Sequence, residues 1–299
     1  MAIDDLVVRP APAPELITSP GHLLRRGFAS YNVIWAEQIG DPTSAQFALL
    51  AALAARPGID QRAAGELASL DRSSTTDVVR RLARRAWITK SQNPLDARRS
   101  VLRLTTPAVH ALSHLTTRAD AVHETLLAPL DAAGRAELLA AMRKLARLPD
   151  GEPAATDAVL QAPGFLIRRA QQTHTALFSE EFGDDLTGPQ FAVLHTLRRS
   201  PGISHRTLRG AVGIDRTTVT GIVDRLAQRG WIDRQRDAGD ARRFKLFPTE
   251  AADQAYPTMA SRVDAVQHRL TEPLTAAERA RLLELLAVVA LQRTPPSAE

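Results

Sequence analysis

The chain repeats itself, and that fact limits its architecture more than any other. Shifted by 144 residues, Gln46-Phe47-Ala48-Leu49-Leu50 falls on Gln190-Phe191-Ala192-Val193-Leu194, and Pro57-Gly58-Ile59 on Pro201-Gly202-Ile203. Arg85-Ala86-Trp87-Ile88 falls on Arg229-Gly230-Trp231-Ile232, and Asp96-Ala97-Arg98-Arg99 on Asp240-Ala241-Arg242-Arg243. Over 43–105 against 187–249 there are about 26 identities in 63 positions, too many for chance. Upstream the shift is 143, where Gly21 and Arg25-Arg26 meet Gly164 and Arg168-Arg169. A one-residue indel in the loop near Pro42 accounts for the change. Each copy exceeds 100 residues and only two occur, so this is a duplicated domain and not a solenoid.

Two domains also suit 299 residues. The reading divides the chain into a Pro-rich tail (1–18), a first domain (19–148), a linker (149–162), a second domain (163–294) and a short tail (295–299). No Cys is present, which excludes a disulfide scaffold and a thiolate zinc site. The longest apolar run, 47–55, is far short of a bilayer span, and Met1-Ala2-Ile3-Asp4-Asp5 lacks the basic start of a signal peptide. A cytoplasmic protein is expected. The net charge is +5, and Lys occurs only at 90, 144 and 245, so nearly all positive charge is Arg. Arg suits phosphate and guanine, although a GC-rich genome also writes Arg for Lys.

Local signals divide each copy into the same elements. In the first, Ser19-Pro20 opens a helix to about Gln38. Thr43 caps a second helix, Asp60 a short third through Leu67, and Asp71 a fourth ending near Ala86. Trp87–Lys90 and Ser100–Leu104 alternate as two strands around the turn Asn93-Pro94-Leu95-Asp96. Pro107 sits at the first position of a fifth helix to about Leu127, and Asp131 caps a last one to Leu148. The second copy repeats these signals at Thr187, Ser204, Asp215, the hairpin 231–247, Thr249 and Thr275. Short helices followed by a hairpin make a winged helix-turn-helix.

In the fourth helix, Thr75, Val78, Val79, Leu82, Ala83 and Ala86 share one face and are expected inside. Ser73, Thr76, Asp77, Arg80 and Arg84 lie opposite, where hydroxyls reach phosphates or bases and Arg reads guanine. Taken alone, such a stripe is equally an ordinary solvated face. Trp87 and Trp231 are expected in the core and not as base-stacking platforms.

Each copy resembles a MarR-family transcription regulator. The residues that carry the resemblance run from Asp71-Arg72-Ser73-Ser74-Thr75-Thr76-Asp77 to Leu82, then Trp87-Ile88, then Asp96-Ala97-Arg98 and Leu104-Thr105. The second copy has Asp215 to Leu226, Trp231-Ile232 and Asp240-Ala241-Arg242, but Pro248 stands where Leu is usual before Thr249. The resemblance implies a mainly α fold with small β wings, and two domains joined as an intramolecular pseudo-dimer through their terminal helices. It implies double-stranded operator DNA as partner and a repressor as the function. The DNA-contacting set would be Arg72, Ser73, Ser74, Thr76, Asp77, Arg80 and Arg84, with Arg216, Thr217, Thr218 and Thr220 in the second copy. Arg98 and Arg242 would enter the minor groove from the wings, held by Asp96 and Asp240, with Arg99 and Arg243 on phosphates.

The resemblance also implies release by a small aromatic or acidic ligand, held by Arg25, Tyr31, Trp35, Arg168, His174 and Phe178. Arg168 and His174 would face one cleft, with Arg25 and Tyr31 as counterparts; arginines that are solvated or paired across an interface remain the other reading. No nucleophile, phosphate-loop or zincin motif occurs, so neither enzyme activity nor a cofactor is expected. His110 and His114 make at most half a metal site, and no metal is expected. Two alternatives stay open at this level: a winged helix that binds protein in place of DNA, and a dimer of fused chains in place of a monomeric one.

Overall fold

A computed structural model describes residues 16, 18–93, 96–147, 159–237 and 240–292; at 93, 96–99, 237 and 240–243 it describes the backbone alone. The first copy runs α1 (Pro20–Gln38), α2 (Ser44–Ala55), α3 (Gln61–Leu67), α4 (Arg72–Arg84), β1 (Ile88–Asn93), β2 (Asp96–Leu104), α5 (Thr106–Leu127) and α6 (Ala132–Ala146). The second runs α7 (Pro163–Phe182), α8 (Gly188–Arg199), β3 (Ile203–Ser204), α9 (His205–Val212), α10 (Arg216–Gln228), β4 (Ile232–Asp237), β5 (Asp240–Pro248), α11 (Glu250–Thr271) and α12 (Ala276–Leu291). Among the described residues no helix is long and apolar enough to cross a membrane.

The boundaries follow from caps. Thr43, Asp60, Asp71, Thr105 and Asp131 each accept the backbone N–H three residues on, and Thr187, Ser204, Asp215, Thr249 and Thr275 do the same in the second copy. Each such cap contributes about 1 kcal/mol. Three are capping boxes, at Thr43 with Gln46, Thr187 with Gln190 and Thr275 with Glu278. Three sequence readings shift. Pro107 is the second helical residue, because Thr105 is the cap. The fourth helix stops at Arg84, and Ala86 lies beyond it with φ 54. The indel is absorbed by the helix end: α1 has 19 residues and α7 has 20.

Both wings are antiparallel, with Ile88 opposite Leu104 and Ile232 opposite Pro248. Pro248 keeps its partner because it ends the strand, where a missing N–H costs little. One strand escaped the sequence reading. Ile203 and Ser204 pair with Leu246 and Lys245, and the first copy keeps only the bridge Asp60 to Val101. Two residues are too few to show alternation. Gly58 and Gly202 turn the chain into this edge with φ of 77° and 80°, the left-handed region that favours glycine.

The chain forms two compact units, and neither is one sequence copy. One holds Met1–Leu23 with His174–Glu272, here the second-copy unit; the other holds Leu24–Thr173 with Pro273–Glu299, here the first-copy unit. Helices α1 and α7 are each divided between the units. In the first-copy unit Leu49, Leu50, Leu53, Val78, Val79, Leu82, Ile88 and Leu102 form the winged-helix core. The last helices of both copies, α6 and α12, pack there: Gly134 lies against Leu285, and Lys144–Glu278 (2.6 Å) and Arg281–Glu137 (2.7 Å) flank the seam. In the second-copy unit Leu208, Val212, Val219, Val223, Leu226 and Leu246 are buried.

Candidate nucleic-acid interface

The face of α4 is as the 3.6-residue period requires, with two exceptions. Thr75, Val78, Val79 and Leu82 are buried, while Ala83 and Ala86 are exposed, because the helix ends before Ala86 can turn inward. Arg72, Ser73, Thr76, Asp77, Arg80 and Arg84 are exposed, and Ser74 is half-buried. In α10, Arg216, Thr217, Thr218 and Thr220 are exposed.

Hydrogen bonds then sort these groups. Asp71 accepts from Ser74 N–H (2.9 Å), Ser74 Oγ (2.6 Å) and Ser73 Oγ (2.9 Å). Burial works against the Asp71 charge, but these donors outweigh it and hold the carboxyl below its usual range. Both serine protons are thus spent on the cap. Thr76 Oγ1 donates to Arg72 O (2.9 Å), and Thr220 Oγ1 to Arg216 O (2.9 Å). Asp77 pairs with Arg80 and, at 3.8 Å, with Arg81. Such exposed pairs contribute little and open readily. Among the described residues Arg72, Arg84 and Arg216 have no ion-pair partner and present their guanidinium groups to solvent.

The second copy holds a group that the sequence reading missed. Arg234 on β4 pairs with Asp224 on α10. His205 lies beside them, its pKa lowered by burial and then by Arg234. Arg234 occupies the place of Lys90 in the first copy, and strand alternation would have put it on the helix-facing side. The side chains of Arg98, Arg99, Arg242 and Arg243, with those of Asp96 and Asp240, lie outside the described residues; their backbones belong to β2 and β5. Trp87 is half-buried, not fully in the core, with the Arg85 guanidinium 4.0 Å over its ring; Arg229 stands 5.3 Å over Trp231.

The second site reading concerns Arg25, Tyr31, Trp35, Arg168, His174 and Phe178. α7 is divided after Thr173, so Arg168 falls in the first-copy unit and His174 in the second-copy unit. Arg168 joins Tyr31 in the first-copy unit. There a narrow cleft, with room for about one water (about 10 Å³), is lined by Tyr31, Ser44, Phe47, Ala51, His123, Leu160, Phe165 and Arg168. Arg168 is 6% exposed and donates to Ser44 Oγ (2.8 Å), with its guanidinium 5.0 Å from the Phe28 ring. Among the described residues no carboxylate neutralises it. Burial brings its pKa down to about 10 and pushes the Tyr31 hydroxyl up. Tyr31 stacks on His123 at 5.9 Å. Trp35 does not line the cleft; its indole is buried against Phe47 and donates to Pro42 O (2.7 Å). His174 and Phe178 are buried in the second-copy unit, ring to ring at 5.6 Å. Arg25 is half-buried, and the burial of its guanidinium, with Arg26 beside it, lowers its pKa to about 10.

Two predictions arise here. Burial lowers the His123 pKa from 6.5 to about 4. The folded state therefore prefers neutral His123, and stability is lost as pH falls from 6.5 towards 4, because the unfolded chain takes the proton first. Between pH 7 and pH 4.5 this group removes about 2–3 kcal/mol. His123→Gln, the residue at the matching place in the second copy, is expected to lose that part of the pH dependence, read by urea denaturation at the two pH values. The second concerns Gly164, where a Cβ would strike the Tyr31 ring. Gly164→Ala is expected to cost about 1–3 kcal/mol in the same assay. Gly221→Ala, whose Cβ meets nothing closer than 3.8 Å, is expected to gain about 0.5–1 kcal/mol as a helix-interior alanine.

Two winged helices with arginine-bearing recognition helices define a helix-turn-helix class of DNA-binding regulator. Known proteins agree. The MarR family model matches residues 43–100 and 186–244. The HTH-type transcriptional repressor NicR of Pseudomonas putida is 33% identical over 129 residues, 43% of this chain and 82% of its own length. The transcriptional regulator HosA of Escherichia coli is 29% identical over 120 residues, 40% of this chain and 88% of its own. Among solved structures, the PcaV transcriptional regulator of Streptomyces coelicolor with its natural ligand is 36% identical, covering 41% of this chain and 87% of that one, at a TM-score of 0.40. The chain belongs to the MarR family, with two MarR regions in tandem. Its relatives are transcription regulators, and one such relative corresponds in length to one copy.

Proposed function

We propose that the chain is a sequence-specific repressor that binds duplex operator DNA with both copies and is released by a small aromatic acid. The observation that carries the DNA reading is that Arg72, Arg84 and Arg216 stand exposed on the recognition helices with no carboxylate partner among the described residues. Arg80, freed from Asp77, adds to them, and Arg98, Arg99, Arg242 and Arg243 extend the contact from the wings. Thr76 is exposed on α4, and Thr217, Thr218 and Thr220 are exposed on α10. Ser73 and Ser74 act through the cap, positioning Asp71 and the helix start. A gel shift with duplex DNA selected from a random pool tests this. Tight, salt-sensitive binding of the selected sequence is expected, with log K falling by about 0.9 per phosphate contact per log unit of salt. Equal affinity for unrelated duplexes would overturn the sequence specificity, and no binding to any duplex would leave the protein-interaction role.

The effector reading rests on Arg168. A buried guanidinium without a carboxylate is costly, and an acid entering beside Ser44 would offset that cost. The apolar side chains of Phe47, Ala51, Leu160 and Phe165 line that cleft and would part to face the ring of an aromatic acid. We assign domains 19–148 and 163–294, joined by 149–162, to the two halves of one dimer-like unit. A single chain then suffices for activity. Light scattering at low micromolar concentration is expected to give the mass of one chain, 32.5 kDa; an obligate assembly of twice that mass would identify a dimer of fused chains.

A further inference from the structure

The two copies differ where the effector cleft is built. Arg168 donates to Ser44 in the first-copy unit; the second copy has Gly188 at the place of Ser44 and so lacks that hydroxyl. Ala51 leaves the floor of the cleft open, whereas His195 stands at the matching place. The His195 ring is held there by Tyr256, with Nδ1 and the hydroxyl 2.5 Å apart, and Phe191 stacks on Tyr256 at 5.7 Å. In the first copy Leu112 replaces that tyrosine. The third difference is the partner of the first-helix aromatic. Tyr31 faces His123 ring to ring, and among the described residues neither side chain has a hydrogen bond. His174 instead meets Gln267, whose amide lies 3.2 Å from His174 Nε2 and whose carbonyl accepts Gly21 N–H at 2.9 Å. The donors and acceptors that Tyr31 and His123 keep for a ligand are already consumed around His174. Bulk at His195 and satisfied polar groups at His174 act in the same direction, since a ligand entering there would displace side chains and break bonds that it could not replace.

We infer that the chain takes one effector molecule, at Arg168 in the first-copy unit, and that the matching place in the second-copy unit is closed to it. A homodimer of identical subunits must keep two equal sites, whereas a fused chain is free to lose one. The inference rests on the effector reading above and narrows it to a stoichiometry. A single site releases DNA without the sigmoid response that two coupled sites give.

The test is isothermal titration of the full chain with 4-hydroxybenzoate and with salicylate. One molecule per chain is expected, with the heat abolished by Arg168→Ala and the stoichiometry unchanged in Gln267→Ala. The matching gain is Gly188→Ser with His195→Ala and Gln267→His, expected to raise the stoichiometry towards two. Two molecules bound by the natural chain would overturn the single-site inference while leaving the effector reading intact. One molecule that persists in Arg168→Ala would overturn the placement. No heat from either acid would overturn the effector reading and the inference with it.

Discussion

Alanine at both Arg98 and Arg242 is expected to weaken operator binding by at least about 30-fold without lowering the melting temperature. Each arginine stands two residues past a strand pair at the turn, Asn93 with Asp96 in one copy and Asp237 with Asp240 in the other. A guanidinium carried there reaches the narrow, electronegative minor groove while the helix occupies the major groove. Losing one specific arginine contact costs about 1–3 kcal/mol, so the pair costs about 2 kcal/mol at the least, which is that 30-fold. The fold cost is expected to be small because substitutions at hairpin ends are ordinarily within about 0.5 kcal/mol. The log–log salt slope is expected to flatten by up to about one unit per lost phosphate contact. A double variant with unchanged affinity, slope and melting temperature would remove these residues from the interface.

The natural operator is expected to be an imperfect palindrome, and each symmetrised version of it to bind at least about 5-fold more weakly. A homodimer presents identical heads, so its sites mirror its axis. Here the heads differ: Asp77, Arg80 and Arg84 become Gly221, Asp224 and Gln228. Arg80 can donate to guanine or phosphate once its exposed pair with Asp77 opens. Asp224 is held by Arg234, so this place in the second copy offers a paired carboxylate and not a cation. Over α4 and the facing strand position the first copy carries Arg72, Arg80, Arg81, Arg84 and Lys90 against Asp77; the second carries Arg216, Arg225 and Arg234 against Asp224. The first copy should therefore supply more of the electrostatic affinity. Each base pair mismatched to its head costs about 1–3 kcal/mol, and one such mismatch in the replaced half-site gives at least that 5-fold. The half-sites should lie about one turn, roughly 10 bp, apart. Arg80→Ala is expected to lower the salt slope by about one unit, and Asp224→Ala not to lower it. Equal, undiminished binding to both symmetrised operators would show that the divergence has no effect on recognition.

The sequence by itself determined the repeat, the helix starts, the wings and the outward faces of the recognition helices. Those features are local. A cap such as Asp71 bonds a backbone N–H three residues away, a buried helix face recurs every three to four residues, and a strand alternates by two. Where a reading failed within this range, the signal was too short: β3 has two residues, and Ala86 lay two residues past the helix end. Only the tertiary structure decided which polar groups are free to act. Ser73 and Arg84 look alike as exposed polar residues, but one gives its proton to Asp71 and the other has no partner among the described residues. Arg234 and Asp224 meet across ten residues, and Arg168 and Ser44 across 124. Arg168 and His174, six residues apart on one helix, belong to different compact units. No periodicity or spacing encodes such encounters, because they are settled when helices of both copies pack, and packing answers to the shape of the whole core and not to any single stretch of chain.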